Sequence, residues 1–352
     1  MIKINLVSLY YEANRITGAN KRFDFFARSL LKRNDVKVIA VVKQGEEPAW
    51  ADDVITVPRY DRLPAPVRRI LHFVHLSFLC FKLDGIIIND FMPVPLFSAR
   101  KKNYYQLVHD IRNFTEYNRA LLKNISSHIQ KMQWKKVSNI LTVSEFTKTQ
   151  LVDYCGVNPE NVFVSYNGIE ETIRVPSRRD IDFLYIATFE KRKNHKNLVL
   201  AFSEYVKNVD PNSKLVLVGR DLGYRGGVHT LIEDLSLADN VSIIDNISEK
   251  ELLNLYERSC CFVSPSLYEG FGMPIIEAMY FGCNVACSNI AVFQEIAKEY
   301  ADYFDPKDVM DIFRTLQISR GKSNDDAGQV TYVCNHFYWD AIADSFLQTM
   351  RN

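Results

Sequence analysis

One stretch of the chain places two acidic residues on either side of a turn that contains two glycines. Glu269 precedes Gly270 and Gly272, and Glu277 follows after seven intervening residues. Carboxylates at the two ends of an amide-rich turn can accept hydrogen bonds from different parts of a polyhydroxylated ligand, such as a sugar ring and a ribose. The alternative is an ordinary strand-to-helix loop in which the acids only complement the helix dipole. The residue types alone leave both interpretations open.

The elements that position this turn are a buried strand before it and a helix after it. The apolar run Cys260–Val263 predicts a parallel strand. Pro274 suits the first position of a helix, because its missing N–H would be unpaired there, and Gly282 marks the helix end. The N–H groups at the start of such a helix carry partial positive charge, and phosphate is the anion that they most commonly bind. The pattern therefore predicts an anion-binding turn.

Composition narrows the classes of function. A chain of 352 residues exceeds what one hydrophobic core usually supports, which predicts two domains. The 43 basic and 42 acidic residues nearly cancel, so we expect no nucleic-acid partner. The seven cysteines are scattered, several of them in apolar surroundings. That pattern favours reduced, buried thiols in a cytoplasmic protein over a disulfide framework.

Short β-branched strands alternate with helices, which predicts doubly wound parallel sheets and an α/β fold. In the first half, the predicted strands are 2–9, 36–42, 85–89, 104–108, 139–143 and 162–166. In the second half, they are 183–188, 214–218, 241–244, 260–263 and 284–287. A terminal helix is predicted over 338–350.

The acidic turn also carries a longer pattern, P-S-L-Y-E-G-F-G-M-P-I-I-E-A, over residues 265–278. This pattern resembles the E-x7-E signature of the retaining glycosyltransferases of family 4. The resemblance implies that Glu269 approaches the donor sugar and that Glu277 binds the ribose of the nucleotide. The backbone amides that it assigns to the sugar and the diphosphate are those of Gly270, Phe271, Gly272 and Met273.

A second pattern lies at the strand-to-helix junction that opens the second half. The run T-F-E-K-R-K-N resembles the family pattern G-T-x-E-x-R-K-N, with Ala187 in place of the glycine. The resemblance implies that Lys193, with Arg192, neutralises the leaving diphosphate, since Arg supplies a bidentate clamp and Lys a mobile charge. Thr188 and Gly219 are further donor-binding candidates. The alternative is a solvated basic turn.

The first half offers site candidates at its strand ends, where ligands bind in sheets of this kind. The run V-H-D resembles the post-strand histidine of the family, which implies that His109 lies beside the transferred sugar. The alternative is a structural histidine, with Asp110 capping the segment after it. Arg112, and Gly18 in the loop after the first strand, are assigned to the acceptor. Ser144, in a segment similar to the family's V-S-E-F-T, is assigned to the donor, although helix capping alone would explain it.

The resemblance implies two Rossmann-like doubly wound domains facing a cleft, the GT-B architecture. Residues 1–168 would form an acceptor domain, and residues 180–334 a donor domain that binds the nucleotide sugar. Residues 335–352 would form a helix that crosses back to the N-terminal domain.

The expected reaction moves a hexose from a nucleotide diphosphate sugar to a glycan or a polyprenyl-diphosphate-linked acceptor, with retention of anomeric configuration. Mannose is favoured, because the loop at Thr188 is similar to that of mannosyltransferase relatives, and the expected product is a surface polysaccharide such as O-antigen or capsule. No cofactor is expected to be obligatory. No metal is expected either, because the D-x-D formed by Asp180 and Asp182 falls in a linker before its strand.

Other functions remain open. A sugar phosphorylase or a nucleotide-sugar epimerase could share the architecture, and a non-catalytic module could bind a nucleotide sugar without turnover. A nicotinamide dehydrogenase is disfavoured, because no G-x-G-x-x-G fingerprint is present.

The apolar segment 66–81 raises the question of membrane contact. It is shorter than the roughly 20 residues that a spanning helix needs. A buried crossover helix is the favoured interpretation, since parallel sheets need both faces covered. The alternative is an amphipathic patch, flanked by basic residues, that rests on a membrane surface. The start of the chain lacks the pattern of a signal peptide, so we expect a cytoplasmic protein, with peripheral contact to the cytoplasmic face of the inner membrane as the alternative.

Overall fold

A computed structural model of the protein describes residues 1–13, 17–114, 125–175, 177–324 and 327–351. The chain divides into two compact units. The N-terminal unit comprises Met1–Glu170 together with Trp339–Asn352, and the C-terminal unit comprises Glu171–Tyr338. Each unit is built around one parallel β-sheet with helices, so the expected α/β class with two doubly wound sheets is confirmed.

The described part of the N-terminal unit contains one seven-stranded parallel sheet. Its strands are β1 (Ile2–Val7), β2 (Val36–Lys43), β3 (Asp53–Val57), β4 (Ile86–Asn89), β5 (Tyr104–Val108), β6 (Ile140–Thr142) and β7 (Val162–Val164). Their order across the sheet is β3-β2-β1-β4-β5-β6-β7. The order reverses between β1 and β4, so the carboxyl ends of these two strands form a topological switch point, where ligands bind in open sheets.

Strand β3 is absent from the sequence prediction. It lies at the edge of the sheet, and four of its five residues are half-buried or exposed. Edge strands of this kind lack the continuous apolar run that marks the central strands of a parallel sheet. The predicted central strands agree with the observed ones to within about two residues, which is the usual uncertainty of element boundaries.

Helices cover the sheet and begin at residues suited to capping. The described helices of this region are α1 (Gly18–Leu31), α2 (Ala65–Lys82), α3 (Ile125–Trp134) and α4 (Glu145–Cys155). Thr17 Oγ1 accepts a hydrogen bond from the Asn20 N–H at 3.1 Å and so caps α1. Helix α4 ends at Gly156, whose φ of 64° is a left-handed conformation that glycine adopts without steric cost.

Helix α2 connects the parallel strands β3 and β4, which confirms the crossover interpretation. Its inner face buries Leu76 and Cys80 completely. Its outer face is apolar as well, although it is exposed: Phe78 is 67% exposed and Phe81 is 62% exposed. We call this outer row the α2 stripe, and its members are Val67, Ile70, Val74, Phe78 and Phe81.

The described part of the C-terminal unit contains a six-stranded parallel sheet. Its strands are β8 (Ile181–Ile186), β9 (Leu215–Val218), β10 (Val241–Ile244), β11 (Ser259–Ser264), β12 (Asn284–Ser288) and β13 (Ala301–Phe304). Its helices are α5 (His195–Asn208), α6 (Arg225–Asp234), α7 (Glu249–Arg258), α8 (Met273–Tyr280), α9 (Ala291–Ala297), α10 (Val309–Gly321) and α11 (Ala327–Phe337). The strand order is β10-β9-β8-β11-β12-β13, which places a second switch point between β8 and β11.

The D-x-D acids lie at the amino end of β8, opposite this switch point. The prediction that both precede the strand is wrong for Asp182, which is the second residue of β8. Arg258 Nη2 lies 2.7 Å from Asp180 Oδ2, and Arg320 Nε lies 2.8 Å from Asp182 Oδ1. Each acid is therefore paired with an arginine.

Helix α12 (Trp339–Arg351) belongs to the N-terminal unit, where it packs against α1. The ring of Phe346 meets that of Phe26 edge to face, with centroids 5.4 Å apart. At the end of α1, Lys32 Nζ lies 2.8 Å from Asp340 Oδ2. The helix thus supplies part of the apolar cover of α1.

Arg22 of α1 is a buried anchor, with only 3% of the residue exposed. Its Nη1 donates to the carbonyl oxygens of Ser165 and Tyr166 at 2.9 and 2.8 Å and to Asn167 Oδ1 at 3.1 Å. The guanidinium also lies over the ring of Trp339. Burial lowers the pKa of Arg22 to about 9, so the group stays charged at neutral pH. Arg22 therefore ties α1 to the segment after β7 and to α12.

Replacing Arg22 by alanine is expected to lower the free energy of unfolding of the N-terminal unit by about 3 kcal/mol or more, because several buried acceptors lose a charged donor. The three tryptophans of the chain, Trp50, Trp134 and Trp339, all lie in this unit, so tryptophan fluorescence during urea unfolding reports on it selectively. Arg28→Ala is the matched control.

Arg28 lies on the same helix, but its side chain is 49% exposed, where it forms a surface ion pair with Glu170 and lies over the ring of Phe25. Its replacement should change the free energy of unfolding by less than about 1 kcal/mol. Equal effects of the two substitutions would show that Arg22 does not act as the anchor.

Candidate functional site

The predicted basic turn and the predicted acidic turn meet at the switch point of the C-terminal sheet. The basic turn, Lys191–Lys193, is one turn of 3-10 helix after β8, and the acidic turn follows β11. The Leu267 N–H donates to the Arg192 carbonyl oxygen at 2.8 Å, which joins the two turns through their backbones. The geometry therefore brings Lys193, Arg192 and Glu269 together.

Glu269 lies at the centre of a charged cluster. Its Oε1 accepts hydrogen bonds from Lys193 Nζ and, at 2.8 Å, from Ser266 Oγ. Arg192 Nη1 donates to the other oxygen at 3.1 Å, and Arg192 Nη2 lies 2.7 Å from Glu190 Oε1. The side chains of Lys193 and Glu269 are only 13% and 14% exposed. The charges of Lys193 and Glu269 are therefore largely removed from water, and each is stabilised by the other.

The cluster keeps Glu269 ionised. Burial alone would raise the pKa of Glu269, but the charges of Lys193 and Arg192, with the hydrogen bonds from Lys193 and Ser266, outweigh it and lower the pKa to about 2. Burial lowers the pKa of Lys193, and the charge of Glu269 opposes that shift. A carboxylate and an ammonium in contact stabilise each other's charged form, so both stay ionised at neutral pH.

The glycine-bearing turn has structural requirements of its own. Gly272 has a φ of 119°, and a Cβ there would lie 2.9 Å from the ring of Phe293 and 3.1 Å from Ile296. Glycine is therefore required by the backbone and by packing within the unit, independently of any ligand. Phe271 is 4% exposed, and its ring meets Phe337 edge to face at 5.9 Å. Its side chain contributes to the core.

Helix α8 begins at Met273, so Pro274 occupies the second helical position rather than the first. Gly270 and Met273 are both buried. Glu277 lies in the second turn of the helix, where it is 9% exposed. Tyr256 Oη donates to Glu277 Oε2 at 2.8 Å. Glu277 is thus held by α7, whereas Glu269 is held by the basic turn.

The other two donor candidates lie at the same edge of the sheet. Thr188 Oγ1 donates to Glu190 Oε1 at 3.0 Å and so extends the charged cluster. Gly219 follows β9, where a Cβ would lie 1.9 Å from the carbonyl oxygen of Ala187. Only glycine permits this approach of the two strand ends.

Four predicted site residues, His109, Arg112, Ser144 and Gly18, belong to the N-terminal unit. His109 follows β5, and burial together with the charge of Arg22 lowers its pKa to about 4, so its ring is neutral at physiological pH. Arg112 is exposed, with its Nε 3.7 Å from Asp110 Oδ1. The same Asp110 oxygen accepts from the Arg112 N–H at 3.1 Å, which confirms the predicted capping.

Ser144 and Gly18 both lie at helix starts. Ser144 is fully buried, and its Oγ accepts from the Thr147 N–H at 3.0 Å as the N-cap of α4. Gly18 is the exposed first residue of α1. Residues 14–16, which precede it in the predicted glycine-bearing loop, lie outside the described residues.

Two members of the site were not singled out from the sequence. Tyr185, a fully buried residue of β8, donates from its hydroxyl to the Lys193 carbonyl oxygen at 2.8 Å and lies 3.2 Å from Ser266 Oγ. The second member is Ser266, and the hydrogen bonds of Tyr185 and Ser266 hold Lys193 and Glu269 in place. A tyrosine inside an apolar strand gives no local signal of such a role, whereas Ser266 lies within the family pattern and could have been found there. Among the described residues, no group of three or more His, Cys, Asp or Glu side chains is arranged to bind a metal ion.

Two family models match the chain in succession. The model described as Glycosyltransferase Family 4 matches residues 16–172, and the model described as Glycosyl transferases group 1 matches residues 170–317. The second match contains the charged cluster, the glycine-bearing turn and Glu277. Together the two models match residues 16–317, which identifies the chain as a member of the glycosyltransferases that they describe.

Two named relatives are similar over a little more than half of their length. The O-antigen chain mannosyltransferase RfbU of Salmonella typhimurium is 30% identical over 207 residues, which cover 59% of this chain and 58% of the relative. The O-antigen chain mannosyltransferase B of Escherichia coli is 28% identical over 223 residues, which cover 57% of each chain.

A solved structure supports the fold. The structure of Anabaena HepE in complex with UDP and glucose matches with a TM-score of 0.81 over 100% of both chains, at 14% sequence identity. The expected GT-B class of two Rossmann-like domains is confirmed by this likeness.

Replacing Glu269 by glutamine is expected to lower the free energy of unfolding of the C-terminal unit by about 3 to 5 kcal/mol, because Lys193 is left buried without the carboxylate that it contacts, although Arg192 keeps its pair with Glu190. Amide hydrogen exchange in β8 and β11 measures the effect. The double variant Glu269→Gln/Lys193→Met should lose less than the sum of the single variants, since it removes both charges of the pair.

The control is Asp180→Asn, which breaks the exposed pair with Arg258 near the other end of β8 and should cost less than about 1 kcal/mol. Acid provides a second check. Because the folded pKa of Glu269 lies below its ordinary value of 4.5, its contribution to stability is present above that pH and is lost as the pH falls towards about 2. Additive single and double variants would contradict the pairing.

Proposed function

We propose that the protein is a retaining hexosyltransferase that moves a hexose, with mannose favoured, from a nucleotide diphosphate sugar to a glycan or a polyprenyl-diphosphate-linked acceptor. One observation carries the proposal: Lys193 and Arg192 converge on a buried, ionised Glu269 at the switch point of the C-terminal sheet, inside the segment that the group 1 model matches. This is the edge at which open parallel sheets bind their ligands.

The cluster has the charges that a diphosphate donor needs. An ammonium group has three N–H donors, so Lys193 can bind Glu269 and an oxygen of the diphosphate at the same time. Arg192 adds a second fixed cation, and the start of α8 adds oriented N–H groups. The remaining residues assigned to the donor are Glu277 for the ribose, Gly270, Phe271, Gly272 and Met273 through their amides, and Thr188, Gly219 and Ser144.

In the proposed reaction, the bond between the anomeric carbon and the terminal phosphate oxygen breaks, and the acceptor oxygen bonds to the same face of that carbon. The departing phosphate takes the proton of the acceptor, so no side chain has to act as a base. Lys193 and Arg192 stabilise the negative charge that grows on the diphosphate, and Glu269 stabilises the cationic sugar ring.

His109 has a different role in this proposal. Since its pKa of about 4 leaves the ring neutral, it can orient a sugar hydroxyl by hydrogen bonding but does not supply a positive charge. Arg112 and Gly18 are assigned to the acceptor. A surface polysaccharide such as O-antigen is the proposed product, because both named relatives are O-antigen chain mannosyltransferases. We place this activity in the cytoplasm, without an obligatory cofactor or metal.

Replacing Lys193 or Glu269 by alanine is expected to lower kcat by about 100-fold to 1000-fold, the usual effect of removing one contact to the transition state. A thermal-shift screen of nucleotide diphosphate sugars first selects the donor, because a ligand that binds only the folded state raises the Tm. Transfer is then measured below the Tm of every variant.

Lys191→Ala is the matched control, because Lys191 lies in the same basic turn but is exposed. Its activity should equal that of the wild type. Activity of Lys193→Ala or Glu269→Ala within a few-fold of wild type would contradict the assignment. Turnover that depends on inorganic phosphate would indicate a phosphorylase. Formation of product without an acceptor would indicate an epimerase, and binding of a nucleotide sugar without turnover would indicate a non-catalytic module.

We also propose that the α2 stripe rests on a membrane surface that carries anionic lipid, at the cytoplasmic face of the inner membrane. The stripe exposes large apolar side chains at helical spacing, and the exposed cations Arg69 and Lys82 lie near its two ends. Exposed apolar rows flanked by cations suit an interfacial location. None of the described helices is long and apolar enough to cross a bilayer.

Replacing Phe78 and Phe81 together by serine is expected to reduce the partition of the protein into phosphatidylglycerol vesicles by about tenfold or more, since each large apolar side chain contributes about 1.5 to 3 kcal/mol when buried. Vesicle sedimentation measures the bound fraction. Ile318→Ser is the control, because Ile318 is 57% exposed but lies on α10 of the C-terminal unit. Absence of wild-type binding to these vesicles would contradict the proposal.

A further inference from the structure

The switch point of the N-terminal sheet carries a carboxyl group that the sequence patterns do not indicate. Asp90 is the first residue after β4, and its N–H continues the sheet by donating to the Val7 carbonyl oxygen at 3.2 Å. Ser8, the residue after β1, donates from Oγ to Asp90 Oδ2 at 2.6 Å. The carboxyl group is thus fixed between the two strand ends at which the order of the sheet reverses.

The second oxygen of this carboxyl group is unusual. Asp90 Oδ1 is buried and has no hydrogen-bond partner from another residue of the described chain. Buried polar atoms are rarely left without a partner, because the unpaired group has lost its hydration without compensation. Burial also raises the pKa of Asp90 to about 7. The group can therefore both accept and donate a hydrogen bond near neutral pH.

Asp90 lines a small crevice of about 30 Å³ between α1 and the sheet. His109 and Arg22 contribute the other polar side chains, and the remainder of the lining is apolar. The volume is enough for about one or two hydroxyl-sized groups. The crevice is therefore suited to a part of a ligand, such as a single hydroxyl group, rather than to a whole sugar ring.

The polar groups of the crevice favour a neutral hydroxyl over an anion. The His109 ring is neutral at physiological pH. The Arg22 guanidinium already donates to Ser165, Tyr166 and Asn167. A phosphate would meet the Asp90 carboxyl group and a guanidinium whose Nη1 and Nη2 already donate within the fold, whereas a hydroxyl group can donate to a carboxylate and accept from a carboxylic acid.

We propose that Asp90 binds a hydroxyl group of the carbohydrate acceptor at the switch point of the N-terminal sheet, with His109 lining the same crevice. This inference rests on the proposed glycosyl transfer and deepens it by assigning one acceptor contact. Asp90 is a binding residue in this scheme, since the departing phosphate takes the proton of the acceptor. The Ser8 hydroxyl holds Asp90 Oδ2, and Oδ1, which has no partner from another residue of the described chain, is the oxygen that we assign to the ligand.

The test uses methyl α-D-mannopyranoside as the hydroxyl-bearing probe and a panel of nucleoside diphosphates as the independent probe. Asp90→Leu should raise the Kd of the glycoside by about tenfold or more, because a hydrogen bond to a charged group is lost. Asp90→Asn should change it less, since the amide keeps one donor and one acceptor. Nucleotide affinity should stay within about twofold of wild type in both variants, because the residues assigned to the diphosphate and the ribose lie in the other unit.

The control is Asp84→Leu, the same change at an exposed residue before the amino end of β4. It should leave the affinity for the glycoside unaltered. An Asp90→Leu variant that unfolds at the wild-type urea concentration, and binds the glycoside as tightly as wild type, would overturn the inference.

A second measurement covers the case in which Asp90→Leu does not fold. The ¹³C resonance of the Asp90 carboxyl group in the wild-type protein should shift when the glycoside is added, and an unchanged resonance at a saturating concentration would equally overturn the inference. The two proposals can fail separately. If no nucleotide or nucleotide sugar binds, the proposed function fails, whereas nucleotide binding without an effect at Asp90 removes the acceptor contact alone.

Discussion

A single buried negative charge determines much of the arrangement of the C-terminal switch point. Moving a carboxylate out of water costs several kcal/mol even after the protein relaxes around it. Glu269 is nevertheless ionised, because Lys193, Arg192 and Ser266 all donate to it. Tyr185 and the backbone contact between Leu267 and Arg192 then hold the cations in place. Contacts within the unit thus fix the orientation of these charges, and electrostatic stabilisation of a transition state is most effective when the charges are oriented in advance.

The two sheets share a topology but differ in the chemistry of their switch points. The C-terminal sheet places two cations beside Glu269 between β8 and β11, whereas the N-terminal sheet places a carboxyl group between β1 and β4. In the N-terminal unit the nearby cation, Arg22, donates hydrogen bonds to the backbone after β7. The two cations would suit the charged donor of the proposed reaction, and the carboxyl group would suit a neutral acceptor that carries hydroxyl groups.

The sequence predicts the central strands of both sheets and assigns the basic and acidic turns to the same donor, for physical reasons. Parallel strands such as β11 are buried on both faces and appear as continuous apolar runs. The turns after β8 and β11 carry a specific pattern of charged residues and glycine, and neighbouring parallel strands end at the same edge. The edge strand β3 lacks such a run, because it is only partly buried.

The features that the sequence does not predict depend on distant contacts. No local pattern distinguishes Arg22, which is buried, from its neighbour Lys21, because the partners of Arg22 lie more than 140 residues away along the chain. Asp90 follows an apolar strand as many acids do, and it is distinguished only by its hydrogen bond from Ser8 and by an oxygen that has no partner from another residue of the described chain. The resemblance assigns the amide of Gly272 to the donor, yet packing alone requires glycine at this position, because a Cβ there would meet Phe293 and Ile296.

The return of α12 to the first unit affects the order in which the chain can fold during synthesis. The residues that build the C-terminal sheet are contiguous, from Glu171 to Tyr338, so they can all pair as soon as they leave the ribosome. Helix α1 lacks part of its apolar cover until the end of translation, because Trp339 and Phe346, which contact Arg22 and Phe26, are translated after the C-terminal unit. The N-terminal unit, although its synthesis begins first, therefore completes its packing only after the C-terminal unit has been translated.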